Sequence, residues 1–95
     1  MAQRAYEAML ILDPTLDDDG VAATLTKLDE GIKKLGGSVE RNDKQGRKKL
    51  AYSVKKKAEG MYVLSHLQLD PQQVGELNRL YRLNEGTLRH MITAR

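Results

Sequence analysis

The chain reads as an α+β fold, a ferredoxin-like βαββαβ sandwich with a four-stranded antiparallel sheet and two helices on one of its faces. Three observations carry that reading. Four stretches show the two-residue period or short apolar run of a strand, and two others repeat apolar residues every three or four positions, as a helix does. These patterns follow one another in the order strand, helix, strand, strand, helix, strand. At 95 residues the chain has room for a single core, so residues 1–95 are expected to form one domain.

The first strand is AYEAMLIL, residues 5–12. Ala8, Leu10 and Leu12 point one way and Met9 and Ile11 the other, and apolar side chains on both faces mark a central strand. Asp13-Pro14 stops it. Val21, Leu25, Leu28, Ile32 and Leu35 then fall at spacings of four, three, four and three, one stripe of a helix. Asp17, Asp18 and Asp19 sit where carboxylates cap free amides and oppose the helix dipole, and Gly36-Gly37 permits a left-handed exit. SVERNDKQGRKKLAYSV, residues 38–54, is a long strand. Lys48, Leu50, Tyr52 and Val54 share a parity that Val39 does not, so a bulge is expected, with Gly46 its natural place. MYVLSHLQL, residues 61–69, sets Met61, Val63, Leu67 and Leu69 on one face and Tyr62, Leu64, His66 and Gln68 on the other. Asp70-Pro71 opens the second helix as N-cap and first residue, with Val74, Leu77, Leu80 and Tyr81 as its stripe. Asn84-Glu85-Gly86 ends it, and TLRHMIT supplies the last strand. With strands one and three central, both helices cover one sheet face and leave the other open.

Charge is distributed unevenly. Residues 1–30 hold two basic and seven acidic side chains, residues 31–60 ten basic and three acidic, and residues 61–95 four basic and three acidic. The acidic excess of the first third is explained by helix capping. The basic excess centres on KQGRKKLAYSVKKKAEG, residues 44–60, where Lys or Arg fills seven of seventeen positions. Such clustering suggests a polyanionic partner. The plainer alternative is a solvated hairpin whose lysines deter edge-to-edge aggregation.

No apolar run approaches the ~20 residues that span a bilayer, and MAQRAYE lacks the apolar segment of a secretory signal. The absence of cysteine removes disulfides, thiolate metal sites and Cys nucleophiles, and fits a cytoplasmic setting. His66 and His90 fall in strands with no obvious orienting carboxylate, so each reads as a surface or interface residue rather than a base. A two-His metal site lacks a third ligand. Asp17–Asp19 lack the alternation and distal Glu of a calcium loop. No catalytic residue, metal, cofactor or small-molecule substrate is therefore expected.

Two ferredoxin-like classes are testable directly. A soft-metal chaperone needs a CxxC loop after strand one, and this chain has no Cys. An acylphosphatase needs a Gly-rich, Arg-bearing phosphate cradle there, and DPTLDDD would repel phosphate. An RNA-recognition module needs alternating aromatics on strand three, where only Tyr62 and His66 could stack. What remains is an open face carrying Met9, Ile11, Tyr62, Leu64 and His66, flanked by a basic hairpin. The apolar patch suggests a protein partner and the hairpin an RNA.

Tyr6-Glu7 in strand one, Gly46 with RKKLAYSVKKKAEGMYVL, and LYRLNEGTLRHMI resemble the family of the sixth protein of the bacterial small ribosomal subunit over nearly the whole chain. The specific part is Leu50-Ala51-Tyr52, a basic turn, then Gly60 and Tyr62. The resemblance implies a structural, non-enzymatic, cytoplasmic ribosomal protein. Such proteins bind the central domain of 16S ribosomal RNA together with the subunit's eighteenth protein. Carried over to this chain, it implies rRNA contacts at Arg4, Tyr6, Arg47, Lys48, Lys49, Lys55, Lys56, Lys57, Arg89 and His90. The chain departs from the family at Ser53, where members often have Pro. It ends at Arg95, where many carry a tail that embraces the protein partner, so no tail contact is expected. The rival readings are a free-standing regulatory or enzymatic domain with a small-ligand pocket, and a general single-strand RNA binder.

Overall fold

A computed structural model of the chain describes residues 3–54 and 57–95. The elements are β1 (Arg4–Leu12), α1 (Asp18–Lys34), β2 (Ser38–Val54), β3 (Lys57–Leu69), a 3-10 turn at Pro71–Gln73, α2 (Val74–Leu83) and β4 (Thr87–Ala94). The sheet order is β2-β3-β1-β4, every neighbour pair antiparallel, so β1 and β3 are central. This is the ferredoxin-like α+β sandwich that the pattern order predicts.

Local chemistry accounts for the element ends. Asp17 caps α1 by accepting from the Gly20 amide at 2.7 Å, with Asp18 and Asp19 in the first turn. The helix gives way to Gly36 at φ +85°, a backbone state open to glycine. Gly37 follows, and a Cβ there would meet the Gln68 carbonyl oxygen at 2.6 Å. Asp70 caps the second helical segment by accepting from the Gln72 amide at 2.9 Å. The Gln73 amide donates back to the Asp70 carbonyl at 2.8 Å, an i to i+3 bond. That closure makes the first turn a 3-10 turn, so the α-helix proper begins at Val74, three residues later than Pro71.

The core lies between the helices and one sheet face. Val21, Leu25, Leu28 and Ile32 from α1 and Leu77 and Tyr81 from α2 are buried against Tyr6, Ala8, Leu10, Leu12, Val63, Leu67 and Leu69. Burying a leucine contributes about 1.5–3 kcal/mol, and Leu10, Leu12, Leu28, Leu67, Leu69 and Leu77 are all fully buried.

β2 and β3 reach beyond the rest of the sheet. β1 pairs with β3 from Arg4↔Leu69 to Leu12↔Met61 and stops there. β2 and β3 continue through Lys48↔Gly60 and Lys49↔Glu59 to Val54↔Lys57, a two-stranded ribbon. The molecule is accordingly elongated, 41 × 25 × 21 Å. The shift expected at Gly46 is present, between Lys44 and Gly46, with Gly46 at φ +90°. A second, between Val39 and Arg41, was not legible in the apolar pattern. Two one-residue bulges cancel in parity, so Val39 faces the core while Lys48 faces the open side.

Candidate nucleic-acid interface and open sheet face

The cations of the hairpin are distributed over both faces of the ribbon. Cross-strand partners share a face. Arg47 pairs with Met61 and Lys49 with Glu59, on the helix side, while Lys48 pairs with Gly60 on the open side. Lys48 Nζ lies 5.2 Å from the centre of the Tyr62 ring, a cation–π contact that leaves the ammonium free to meet a phosphate. Lys57 leans toward Asp13, Nζ to Oδ1 at 3.8 Å. Arg47, Lys48 and Lys49 are exposed. Lys55, Lys56 and the side chains of Tyr52 and Val54 fall outside the described residues.

Gly60 anchors the base of the ribbon. A Cβ there would collide with Ile11 Cγ2, and Leu50 Cδ2 lies 3.6 Å from the same point. Ile11 of β1 and Leu50 of the ribbon therefore flank the same glycine on the open side.

The open face is zoned in rows across the strands. Arg89, Ile11, Tyr62 and Gly46 form the row nearest the ribbon, and Met91, Met9, Leu64 and Asp43 the next. Glu7, His66 and Arg41 follow, with Thr93 beside Glu7. An apolar band thus lies between cations and a polar row. Met91, 67 % exposed, extends that band onto β4. It was missed in the sequence, although its parity with Arg89 and its alternation along TLRHMIT could have found it.

His66 differs from the bare surface residue the sequence suggests. It is 6 % exposed although it is on the open face. Its Nε2 lies 3.0 Å from Asp43 Oδ2, and its Nδ1 lies 3.8 Å from Glu7 Oε1. Asp43 also takes Arg41 Nε at 3.1 Å. The orienting carboxylates come from strands distant in sequence, which is why local reading found none. One row further, Glu40 accepts from Gln68 Nε2 at 2.8 Å and from Arg95 Nη2 at 3.1 Å. The Gln68 bond, followed by Arg95, holds the Glu40 carboxyl below its ordinary value.

The other sequence-derived contact residues separate. Tyr6 is 7 % exposed within the core cluster, so its ring offers little surface to RNA. Arg89 and His90 point to opposite faces, as neighbours on a strand must. His90 turns toward α2, where its Nε2 meets Asn78 Oδ1 at 3.0 Å and its ring stands 5.4 Å from that of Tyr81. Arg4 is exposed at the far end of β1, about 26 Å from Leu12 at the usual strand rise. The structure therefore gathers Arg47, Lys48, Lys49 and Lys57 at the ribbon, with Arg89 on the adjoining row, and leaves Arg4 apart.

Among the described residues, no group of three or more His, Asp or Glu side chains is arranged to hold a metal ion. A groove of about 1450 Å³ runs along α1 and α2, lined by Leu16, Leu35, Leu80 and Leu83 among exposed helix charges, with no histidine. Among the described residues, no helix is long and apolar enough to cross a membrane.

The family described as Ribosomal protein S6 matches residues 5–94. The small ribosomal subunit protein bS6 of Mycolicibacterium paratuberculosis is 50% identical over 86 residues, covering 90% of each chain. Its counterpart in Clostridium botulinum is 43% identical over 89 residues, covering 94% of this chain and 95% of the other. Among solved structures, 30S ribosomal protein S6 from Thermotoga maritima superimposes with a TM-score of 0.87 at 26% identity, over 99% of this chain and 89% of that one.

Proposed function

The chain belongs to the ribosomal protein S6 family, and from that premise we propose that it binds the central domain of 16S ribosomal RNA together with the eighteenth protein of the small subunit. Its role in this reading is architectural and non-catalytic, exerted within the cytoplasmic ribosome, with residues 1–95 acting as one RNA-binding domain.

The observation that carries the proposal is the projecting ribbon. Arg47, Lys48, Lys49 and Lys57 ride on two strands that extend past β1, and Arg89 adjoins them. A ribbon with cations on both faces suits insertion between phosphate backbones better than adsorption on a flat surface. Phosphate pairing with release of counterions supplies affinity, and the fixed spacing of the cations supplies selectivity for a folded junction. Lys55 and Lys56 extend the same charge in the sequence. The apolar band of Met9, Ile11, Leu64 and Met91, with Tyr62 at its cationic border and His66 at its polar border, is the surface offered to the protein partner. Tyr6 and His90 are not carried into the RNA contact, since one lies in the core and the other faces α2.

The competing reading is a general single-strand RNA binder. Competition for the protein between a folded central-domain rRNA fragment and an unstructured RNA of equal length separates the two, run with and without the protein partner. The folded fragment is expected to win by more than tenfold, and the partner to widen the margin. Equal competition would favour the general binder.

A further inference from the structure

Beneath the open face, four polar side chains from four elements meet in the core. Asn42 of β2 pairs across the sheet with Ser65 of β3 on the helix side. Asn42 Nδ2 donates to the Asp29 carboxylate of α1 at 3.2 and 3.3 Å. Tyr81 of α2 completes the group: burial, with the Asp29 charge adding to it, pushes its phenol well above the ordinary value. Two atoms of the cluster, Asn42 Oδ1 and Tyr81 Oη, are buried with no hydrogen-bond partner among the described residues.

Such a site is poor for stability. A half-buried carboxylate is kept there at the expense of its solvation, and burial raises the Asp29 carboxyl above its ordinary range despite the Asn42 bond. An aliphatic residue at position 42 would face Ser65 without an orphaned carbonyl. The position of Asn42 suggests what the cluster does instead. Two of the register shifts of β2 fall on either side of it, between Val39 and Arg41 and between Lys44 and Gly46. Bulges bend and twist a strand, so the segment between them is where the direction of the ribbon can change. Asn42 ties the segment between the bulges to a helix, whereas Asp43 within it and Glu40 at its start bond to β3.

We propose that the Asn42–Asp29 hydrogen bond is a latch that sets the angle at which the cationic ribbon leaves the domain, making both residues positioning residues for RNA binding although neither touches RNA. The inference rests on the ribbon being the rRNA contact. Lys48 lies five paired positions, about 17 Å, along the strand from Asn42, so a swing of about 10° at the latch moves it by roughly 3 Å, about the length of a hydrogen bond.

The test measures affinity for a central-domain 16S rRNA fragment, its salt dependence and the urea unfolding midpoint. It uses Asn42→Val, Asp29→Ala, their double variant, and Lys48→Ala/Lys49→Ala as control. Asn42→Val is expected to unfold no earlier than wild type yet to bind five- to tenfold more weakly, with the salt slope unchanged because no phosphate contact is lost. Asp29→Ala is expected to weaken binding to the same degree with the salt slope unchanged, although it makes the protein more positive and would otherwise bind better; its urea midpoint is expected to fall slightly, because the Asn42 amide loses its acceptor. It also serves as the second route should Asn42→Val fail to fold, since Asp29 lies on α1 and leaves the sheet untouched. The double variant is expected to lose no more than either single one. Affinity within twofold of wild type in folded variants, additive losses, or a flattened salt slope would overturn the latch. The control reports separately on the ribbon: if Lys48→Ala/Lys49→Ala changes neither affinity nor slope, the RNA contact itself is misassigned and the latch falls with it.

Discussion

Arg89 and His90 illustrate how far apart two adjacent residues can be in role. Arg89 shares a row with Ile11 and Tyr62 on the open face, while His90 bonds Asn78 and lies against Tyr81 beneath the sheet. Burial, and then the charge of Arg82, lowers the His90 imidazole below its ordinary 6.5. A depressed value means that folding favours the neutral ring. The associated stability is present above about pH 6.5 and is lost as pH falls toward the folded-state value. Thermal unfolding from pH 8 to pH 5.5 should therefore show wild type losing more stability than His90→Gln, so that the two curves converge on acidification. Parallel curves would remove His90 from the account. His66, though also a strand histidine, lies between Asp43 and Glu7, and the difference between the two could not be read locally. Alternation tells which face a residue is on, but not which distant side chains cover it.

At the scale of elements, the alternation of β1 and β3 is legible because both strands are regular through their paired lengths. β2 is harder. Its polar residues, SVERNDKQGRKK, carry no apolar marker between Val39 and Leu50, so two bulges that cancel in parity leave almost no trace in the pattern. The 3-10 turn before α2 is invisible for a similar reason, since Asp70-Pro71 opens either kind of helix. The open sheet face supports a prediction of its own. Leu64 lies between Met9 and Asp43 in the apolar row and is half-buried. Leu64→Asp sets a carboxylate opposite Asp43, which should cost folding about 1 kcal/mol. The same change places a charge in the centre of the apolar band proposed to meet the protein partner. Association with the eighteenth protein, measured by calorimetry, is expected to weaken more than tenfold. Losses of equal size in folding and association would return Leu64 to a purely structural role.

For the whole molecule, layer order and strand order followed from the succession of periods, because a βαββαβ chain with two amphipathic helices must cover one sheet face and expose the other. The charge imbalance between thirds of the chain marked the hairpin as the basic region. Its projection beyond β1 depends on the relative lengths of paired strands, and it became clear only from the register. The same register divides the candidate contacts that family resemblance grouped together. Arg4 stands at the other end of β1, and Tyr6 belongs to the core. The latch at Asn42 has no sequence signature, since it joins residues thirteen apart across two elements through a single side-chain contact.

In the proposed function, a two-faced cationic ribbon binds folded rRNA through its phosphates. Its most direct test is the affinity of wild type and of Arg47→Ala/Lys48→Ala/Lys49→Ala for the central-domain fragment across a series of salt concentrations. Wild type should give a steep linear fall of log K with log salt, and the variant a line flatter by about two to three with weaker binding at low salt. Superimposed lines would contradict it.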